Sequence, residues 1–247
     1  MKYISQSLQS GDISVLDAPR PCVGAHSVLI RTTCSLVSAG TERMLLDFGR
    51  AGWIGKARAQ PDRVRQVLTK MSTDGVAATV DAVRSKLATP ITPGYCNAGV
   101  VIETGRDVTG FAPGDRVVSN GPHAEHVVVA ETLVAHIPDG VFDELAAFAP
   151  LAAIALSGIR LAAPTLGETV VVYGLGLIGQ MAVQLLRASG CRVLGIDRNE
   201  ARRALAAAHG AETVTGDDSD TLVRQVRERT NGAGADAVLL TLASDSD

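Results

Sequence analysis

Residues 171–180 read VVYGLGLIGQ. An apolar run ends at Tyr173, then Gly174, Gly176 and Gly179 follow in G-x-G-x-x-G spacing while Leu177 and Ile178 begin a helical pattern. Each glycine answers a different steric demand. Gly174 permits a tight turn, Gly176 lets a pyrophosphate approach the backbone, and Gly179 lets the helix pack against the strand. The helix opening there presents free N–H groups and the positive end of its dipole to phosphate. The next apolar run, CRVLGID (191–197), ends in Asp197, about 20 residues past the glycines, where a carboxylate is placed to accept both hydroxyls of a ribose. Asp197 disfavours a 2′-phosphate, whereas the adjacent Arg198 offsets that in part or stacks on adenine. A dinucleotide is therefore expected at Gly174, Gly176, Leu177, Ile178, Gly179, Asp197 and Arg198, with NAD favoured over NADP. A methyltransferase loop usually needs G-x-G-x-G, and residue 178 is Ile.

Beyond this loop, apolar runs and helical patterns alternate: LIGQMAVQLLRASG, CRVLGID, RNEARRALAAAHG, a short ETVTG, SDTLVRQVRERTNG and ADAVLLTLA. Such βαβαβαβ order calls for a parallel sheet covered on both faces. Gly190, Gly210 and Gly232 each stand just past a helical run, where a left-handed cap wants glycine. A dinucleotide fold has roughly six strands, so the chain is expected to stop inside a domain, after its fourth.

N-terminal to the loop the pattern differs. Residues 12–38 and 98–137 are rich in Val, Ile and Thr and broken by Gly, Pro and Asp, the mark of short strands joined by turns. Between them lies a helical insertion. Pro61 and Asp62 open a segment with Val64, Val67, Leu68 and Met71 at helical spacing, and Val76, Val80, Val83 and Leu87 make a second stripe. The local excess of Arg50, Lys56, Arg58, Arg63, Arg65 and Lys70 over Asp62 reads as a solvated helix face or a docking surface.

A net charge of −3 and a pI near 6.0 give no electrostatic reason to expect nucleic acid. Cys22, Cys34, Cys96 and Cys191 are widely spaced, without a C-x-x-C pair, so neither a disulfide framework nor a zinc knuckle is indicated and a reducing cytoplasm fits. The apolar stretch Leu145–Leu156 is expected to be too short to span a bilayer and carries Pro150. A small-molecule ligand, with no membrane partner, is the expectation.

The segments VTGFAPGDRVV (108–118), AEHVVV (124–129), IPDGV (137–141), APLAAIAL (149–156) and the loop itself closely resemble the medium-chain dehydrogenase/reductase superfamily. The resemblance implies an α/β chain: a GroES-like β-rich catalytic domain over 1–142, with the helical insertion at about 43–90, then a linking helix and partial Rossmann domain over 143–247. More narrowly, SAGTERMLLDFG (38–49), ATPITPGYCNAGVV (88–101) and SNGPHAEH (119–126) look like the dehydrogenase half of bi-domain oxidoreductases. There it is joined to a Gfo/Idh/MocA-type half. That half or a second copy of the chain are the partners the resemblance suggests.

Zinc-dependent relatives carry a Cys near SAGTE, a His-Glu pair after a Pro-Gly turn and a third ligand before PL. The corresponding places here hold Ser38 or Ala39, Tyr95-Cys96 and Ala149. The four-cysteine structural loop is absent too, since GDRVVSN runs straight into GPHAEH. Neither catalytic nor structural zinc is expected, because a catalytic zinc needs three protein donors. The proton work of hydride transfer then falls to side chains. Tyr95 is the first candidate, with Ser38 and Thr41 as hydroxyls, Glu42 as a carboxylate and His123 as an imidazole; lining the cleft is the alternative for Tyr95, and a structural place in its turn for His123. Cys96 reads as a small buried hydrophobe. The expected function is an NAD(P)-dependent, zinc-independent oxidoreductase acting on a polar alcohol or carbonyl compound, sugar-derived in the narrower resemblance. The alternative is a noncatalytic nucleotide-binding or docking module.

Overall fold

The computed structural model describes residues 1–51, 85, 88–216 and 218–242 and forms two compact units, Met1–Phe148 and Ala149–Asp247. Apart from Ser85, the insertion from 52 to 87 lies outside the described residues, and with it the two expected helical stripes.

In the first unit, β1 (Lys2–Gln6) and β2 (Ile13–Asp17) pair as an antiparallel hairpin. Five strands make an antiparallel sheet: β3 (Ser27–Ser35), β4 (Asn97–Thr104), β5 (Arg116–Ser119), β6 (His126–Ala130) and β7 (Val134–His136), in the order β6-β3-β4-β5-β7. Val28, Ile30, Val101, Val117, Val127 and Val129 bury together on one side of it. Ala98, Val118 and Ile137 do so with Ala146 and Ala147 in a second cluster, as the period-2 alternation of half-buried strands requires. Helix α1 (Ala39–Arg50) leaves the end of β3. The short α2 (Asp143–Ala146) lies in this compact unit, which runs to Phe148. Asp143 fastens it to the sheet: its carboxylate accepts from Thr33 Oγ1 at 2.5 Å and pairs with Arg116.

The second unit begins with α3 (Ala149–Ala162). By length and composition alone Asp143–Ala162 suffices to cross a membrane, contrary to the reading of Leu145–Leu156. The path is broken by a turn at Ala147–Phe148. Beyond that turn, Leu151, Ala155 and Ile159 at i, i+4, i+8 are buried on one stripe, the pattern of a helix against a core. The sheet is parallel, in the order β10-β9-β8-β11, from β8 (Thr169–Tyr173), β9 (Arg192–Ile196), β10 (Glu212–Val214) and β11 (Ala237–Leu240). Helices α4 (Leu177–Ala188), α5 (Glu200–Ala208) and α6 (Ser219–Arg229) connect the strands. Val170, Val172 and Val193 meet Ala155, Ile159, Val183 and Leu186 on one face, while Val171, Leu194, Ile196 and Val214 meet Val226 on the other. Burial on both faces explains the unbroken apolar runs, each fully buried Val or Leu contributing roughly 1.5–3 kcal/mol. Gly190, Gly210 and Gly232 all have positive φ, as their places after helices require.

Candidate active site

The turn from β8 into α4 is built by its glycines. Gly174 has φ +97°, and a Cβ on Gly179 would lie 1.9 Å from the Gly174 carbonyl oxygen, so Gly179 makes room for the loop itself as well as for the helix. A Cβ on Gly176 would meet nothing within 4 Å. Gly176 is also the N-cap of α4, with no side chain to cap it, so open space adjoins a helix N-terminus: the donor arrangement and the room fit a dinucleotide pyrophosphate. Leu177 and Ile178 form the first turn of that helix.

Asp197 stands at the end of β9 as expected, with its carboxylate drawn toward the loop. Its Oδ2 accepts from Leu175 N and its Oδ1 from Asn199 N, both at 2.8 Å, and Arg202 Nη1 lies 3.6 Å from Oδ2. Burial alone would raise this carboxyl, but the two N–H donors and Arg202 together hold it below the usual carboxylate range. Arg198 is exposed. Sequence reasoning missed Gln180, which is buried and donates from Nε2 to Leu175 O at 3.1 Å and Arg202 O at 2.8 Å. The backbone of Leu175 is thus held on both sides, its N–H by Asp197 and its carbonyl by Gln180. A buried amide directly after the third glycine was the available signal.

In the first unit the structure gathers all four proposed proton-handling residues, with Glu42, into one network. Tyr95 Oη donates to Ser38 Oγ at 2.7 Å. The phenol has a single hydrogen, so Thr41 Oγ1, 3.2 Å away, donates to the phenolic oxygen. Glu42 Oε1 accepts from Ser38 N at 2.8 Å, and Glu42 Oε2 lies 3.1 Å from His123 Nε2. His123 Nδ1 is 2.8 Å from Ser35 Oγ. Helix α1, which begins ahead of the helical insertion expected from about 43, supplies Thr41 and Glu42 on its first turn, with Ser38 at the N-cap. An N-cap serine ordinarily accepts from a first-turn N–H, worth about 1 kcal/mol; Ser38 makes no such bond and spends its oxygen on Tyr95.

Cys96 is fully buried, and that burial, with the Glu42 carboxylate adding to it, pushes its thiol up to about 11. Burial and the raised value both favour the thiol form at neutral pH, in keeping with a small buried hydrophobe. Among the described residues no three His, Cys, Asp or Glu side chains gather as a metal site would need. Ser38 and Tyr95 are bonded to each other, and Ala149 offers no donor. These side chains do not fit a tetrahedral catalytic zinc.

A GroES-like β-unit followed by a parallel sheet with a glycine phosphate loop defines an alcohol-dehydrogenase-like oxidoreductase fold. Residues 64–148 match the alcohol dehydrogenase GroES-like domain, and residues 178–247 match a family described as zinc-binding dehydrogenase. The chain belongs to the medium-chain dehydrogenase/reductase family of zinc-type alcohol dehydrogenase-like proteins. It is 35% identical over 147 residues to D-guloside 3-dehydrogenase of Escherichia coli (strain K12), covering 58% of this chain and 42% of that protein. It is 30% identical over 191 residues to quinone oxidoreductase of Sus scrofa, covering 72% and 58%. Among solved structures, mycobacterial Rv1454c complexed with NADPH superposes with a TM-score of 0.71 at 25% identity, covering 96% of this chain and 66% of the other. The chain thus spans from under half to about two thirds of the length of these relatives.

Proposed function

We propose that the protein is an NAD-dependent oxidoreductase that transfers hydride between the nicotinamide and a polar alcohol or carbonyl compound derived from a sugar, without zinc. The observation that carries the reading is the open space at Gly176 beside an uncapped helix N-terminus, with Asp197 at the end of the next strand. Similarity to D-guloside 3-dehydrogenase supports a sugar-derived substrate. The resemblance of the sequence supports a Gfo/Idh/MocA-type half or a second copy as partner, and four free cysteines suit a reducing cytoplasm.

A bound nicotinamide supplies or accepts the hydride. In the reducing direction the carbonyl oxygen needs a proton, and Tyr95 delivers it, its hydroxyl hydrogen turning from Ser38 Oγ to that oxygen. Ser38 and Thr41 then both turn their hydroxyl hydrogens to the phenolate oxygen, and solvent returns the proton to Tyr95. In the oxidising direction the same phenolate takes the alcohol proton. Asp197 and Gln180 hold the backbone of Leu175 and so keep the phosphate loop in shape.

The test is titration with NADH followed by the change in nicotinamide absorbance on adding keto-sugars, with zinc measured in the same sample. Binding and oxidation of NADH at well under one zinc per chain is expected. Binding without turnover on any carbonyl compound contradicts the catalytic reading and favours a noncatalytic nucleotide-binding module.

A further inference from the structure

We infer that Glu42 and His123 are positioning residues that set the Tyr95 hydroxyl through Ser38; the inference rests on the reading of Tyr95 as the proton donor. Both ring nitrogens of His123 are engaged, Nδ1 with Ser35 and Nε2 with Glu42, and the side chain is only 6% exposed. No ring nitrogen is left over to meet a substrate. An ionised Glu42 only accepts, so His123 Nε2 donates to it and fixes one carboxylate oxygen, leaving the other to take the Ser38 N–H.

The same histidine also holds Tyr95 from the backbone side. His123 N donates to Pro93 O at 2.9 Å. Gly94, at φ +96°, lies so close that an added Cβ would sit 2.6 Å from the imidazole Cδ2. The contacts close a ring: His123 to Pro93-Gly94-Tyr95, Tyr95 Oη to Ser38 Oγ, Ser38 N to Glu42, and Glu42 back to His123. Ile4 N, donating to His123 O at 3.0 Å, ties that ring to β1. Ser38 Oγ makes no N-cap bond to α1, and its contact is with Tyr95.

Protein labelled with ¹³C at tyrosine Cζ tests this without any ligand, because the chain has three tyrosines, Tyr3, Tyr95 and Tyr173, and Tyr95→Phe assigns the signal. Glu42→Ala is expected to move the Tyr95 resonance and leave Tyr173 in place. Glu42→Gln, which keeps an oxygen for the Ser38 N–H, is expected to restore its position. His123→Ala should move it as well, and by less in the Glu42→Ala background than alone, because one of its two routes to Tyr95 runs through that carboxylate and the other through its packing on Gly94. If Tyr3 moves with Tyr95, Glu42→Met, of similar length and without an acceptor for the N–H, replaces Glu42→Ala. A Tyr95 resonance indifferent to the loss of the Glu42 carboxylate overturns the positioning role, whatever the turnover. In single-turnover oxidation of NADH by a keto-sugar, Glu42→Ala should slow hydride transfer on the order of 10- to 100-fold at unchanged NADH affinity. A displaced resonance with an undiminished rate instead overturns the reading of Tyr95 as proton donor.

Discussion

Gly176 and Gly179 lie three residues apart in one loop, and a side chain on each should fail for opposite reasons. At Gly179 an added Cβ falls 1.9 Å from Gly174 O and 2.9 Å from Thr241 Oγ1, well inside the roughly 3.5 Å at which nonbonded atoms sit comfortably. The first contact is backbone, at a residue held at φ +97°, so no rotamer change relieves it and the loop must move. Overpacking of this kind costs about 1–3 kcal/mol. For a unit of this size 2–3 kcal/mol lowers the thermal midpoint by about 10 °C or more. At Gly176 the backbone is at φ −73°, ψ −163°, which any residue adopts, and nothing lies within 4 Å. Gly176→Val should therefore fold to within about 1 kcal/mol of the parent and lose NADH, whose pyrophosphate needs that space, by about 100-fold or more, equivalent to about 2.7 kcal/mol. Circular dichroism melts and NADH fluorescence titrations separate the two effects. A Gly179→Ala protein as stable as the parent, or a Gly176→Val protein with parental NADH affinity, refutes the loop geometry.

Three further outcomes are expected. NAD(H) should bind more tightly than NADP(H), and Asp197→Asn should narrow that ratio by about tenfold or more, because removing a like charge near a 2′-phosphate is worth at least about 1.4 kcal/mol; isothermal titration with both cofactors checks this, and tighter NADP binding by the parent means that Arg198 and Arg202 dominate. Asp143, held below the usual carboxylate range by Thr33 and then Arg116 against the opposing pull of burial, should stabilise the first unit at neutral pH. Asp143→Asn should cost about 1–2 kcal/mol there. Since the folded-state carboxyl is depressed, the difference should be constant above about pH 5, a unit over the unfolded value, and vanish as pH falls through the folded value, so urea melts of both proteins should converge in acid. Elemental analysis of protein purified without a metal-binding tag should find no stoichiometric zinc, and one zinc per chain lost on replacing Cys96 would contradict the reading of the donor set.

The second unit was legible because its signals are local. An apolar run, three glycines and a helical pattern are adjacent in the chain, and Asp197 and the capping glycines stand at spacings that the βαβ repeat fixes. The first turn of α1 is not legible, because Thr41, Glu42, Leu45 and Leu46 give only a short stripe that overlaps the expected start of the insertion, and Ser38, its N-cap, stands where a metal ligand would. Tyr95, Ser38, Thr41 and His123 could be named from the places where a metal and its relay would stand, but not their bonding, since Tyr95 and Ser38 are 57 residues apart and His123 and Glu42 are 81 apart. Asp197 shows the converse limit. Its place was readable, while its bonds to Leu175 N and Asn199 N depend on how the loop folds back on β9. Asp143 shows the same limit: it reads as the start of a linking helix, and its bond to Thr33, 110 residues earlier, has no local signal.

The most direct test of zinc-free proton transfer is the single-turnover rate of hydride transfer from NADH to a keto-sugar in Tyr95→Phe protein, with zinc assayed in the same sample. The substitution keeps the ring and removes only the hydroxyl that meets Ser38 and Thr41. NADH affinity should hold while the transfer rate falls on the order of 10²- to 10⁴-fold, the usual worth of a general acid or base. An undiminished rate in the variant would contradict it and leave Tyr95 a structural partner of Ser38.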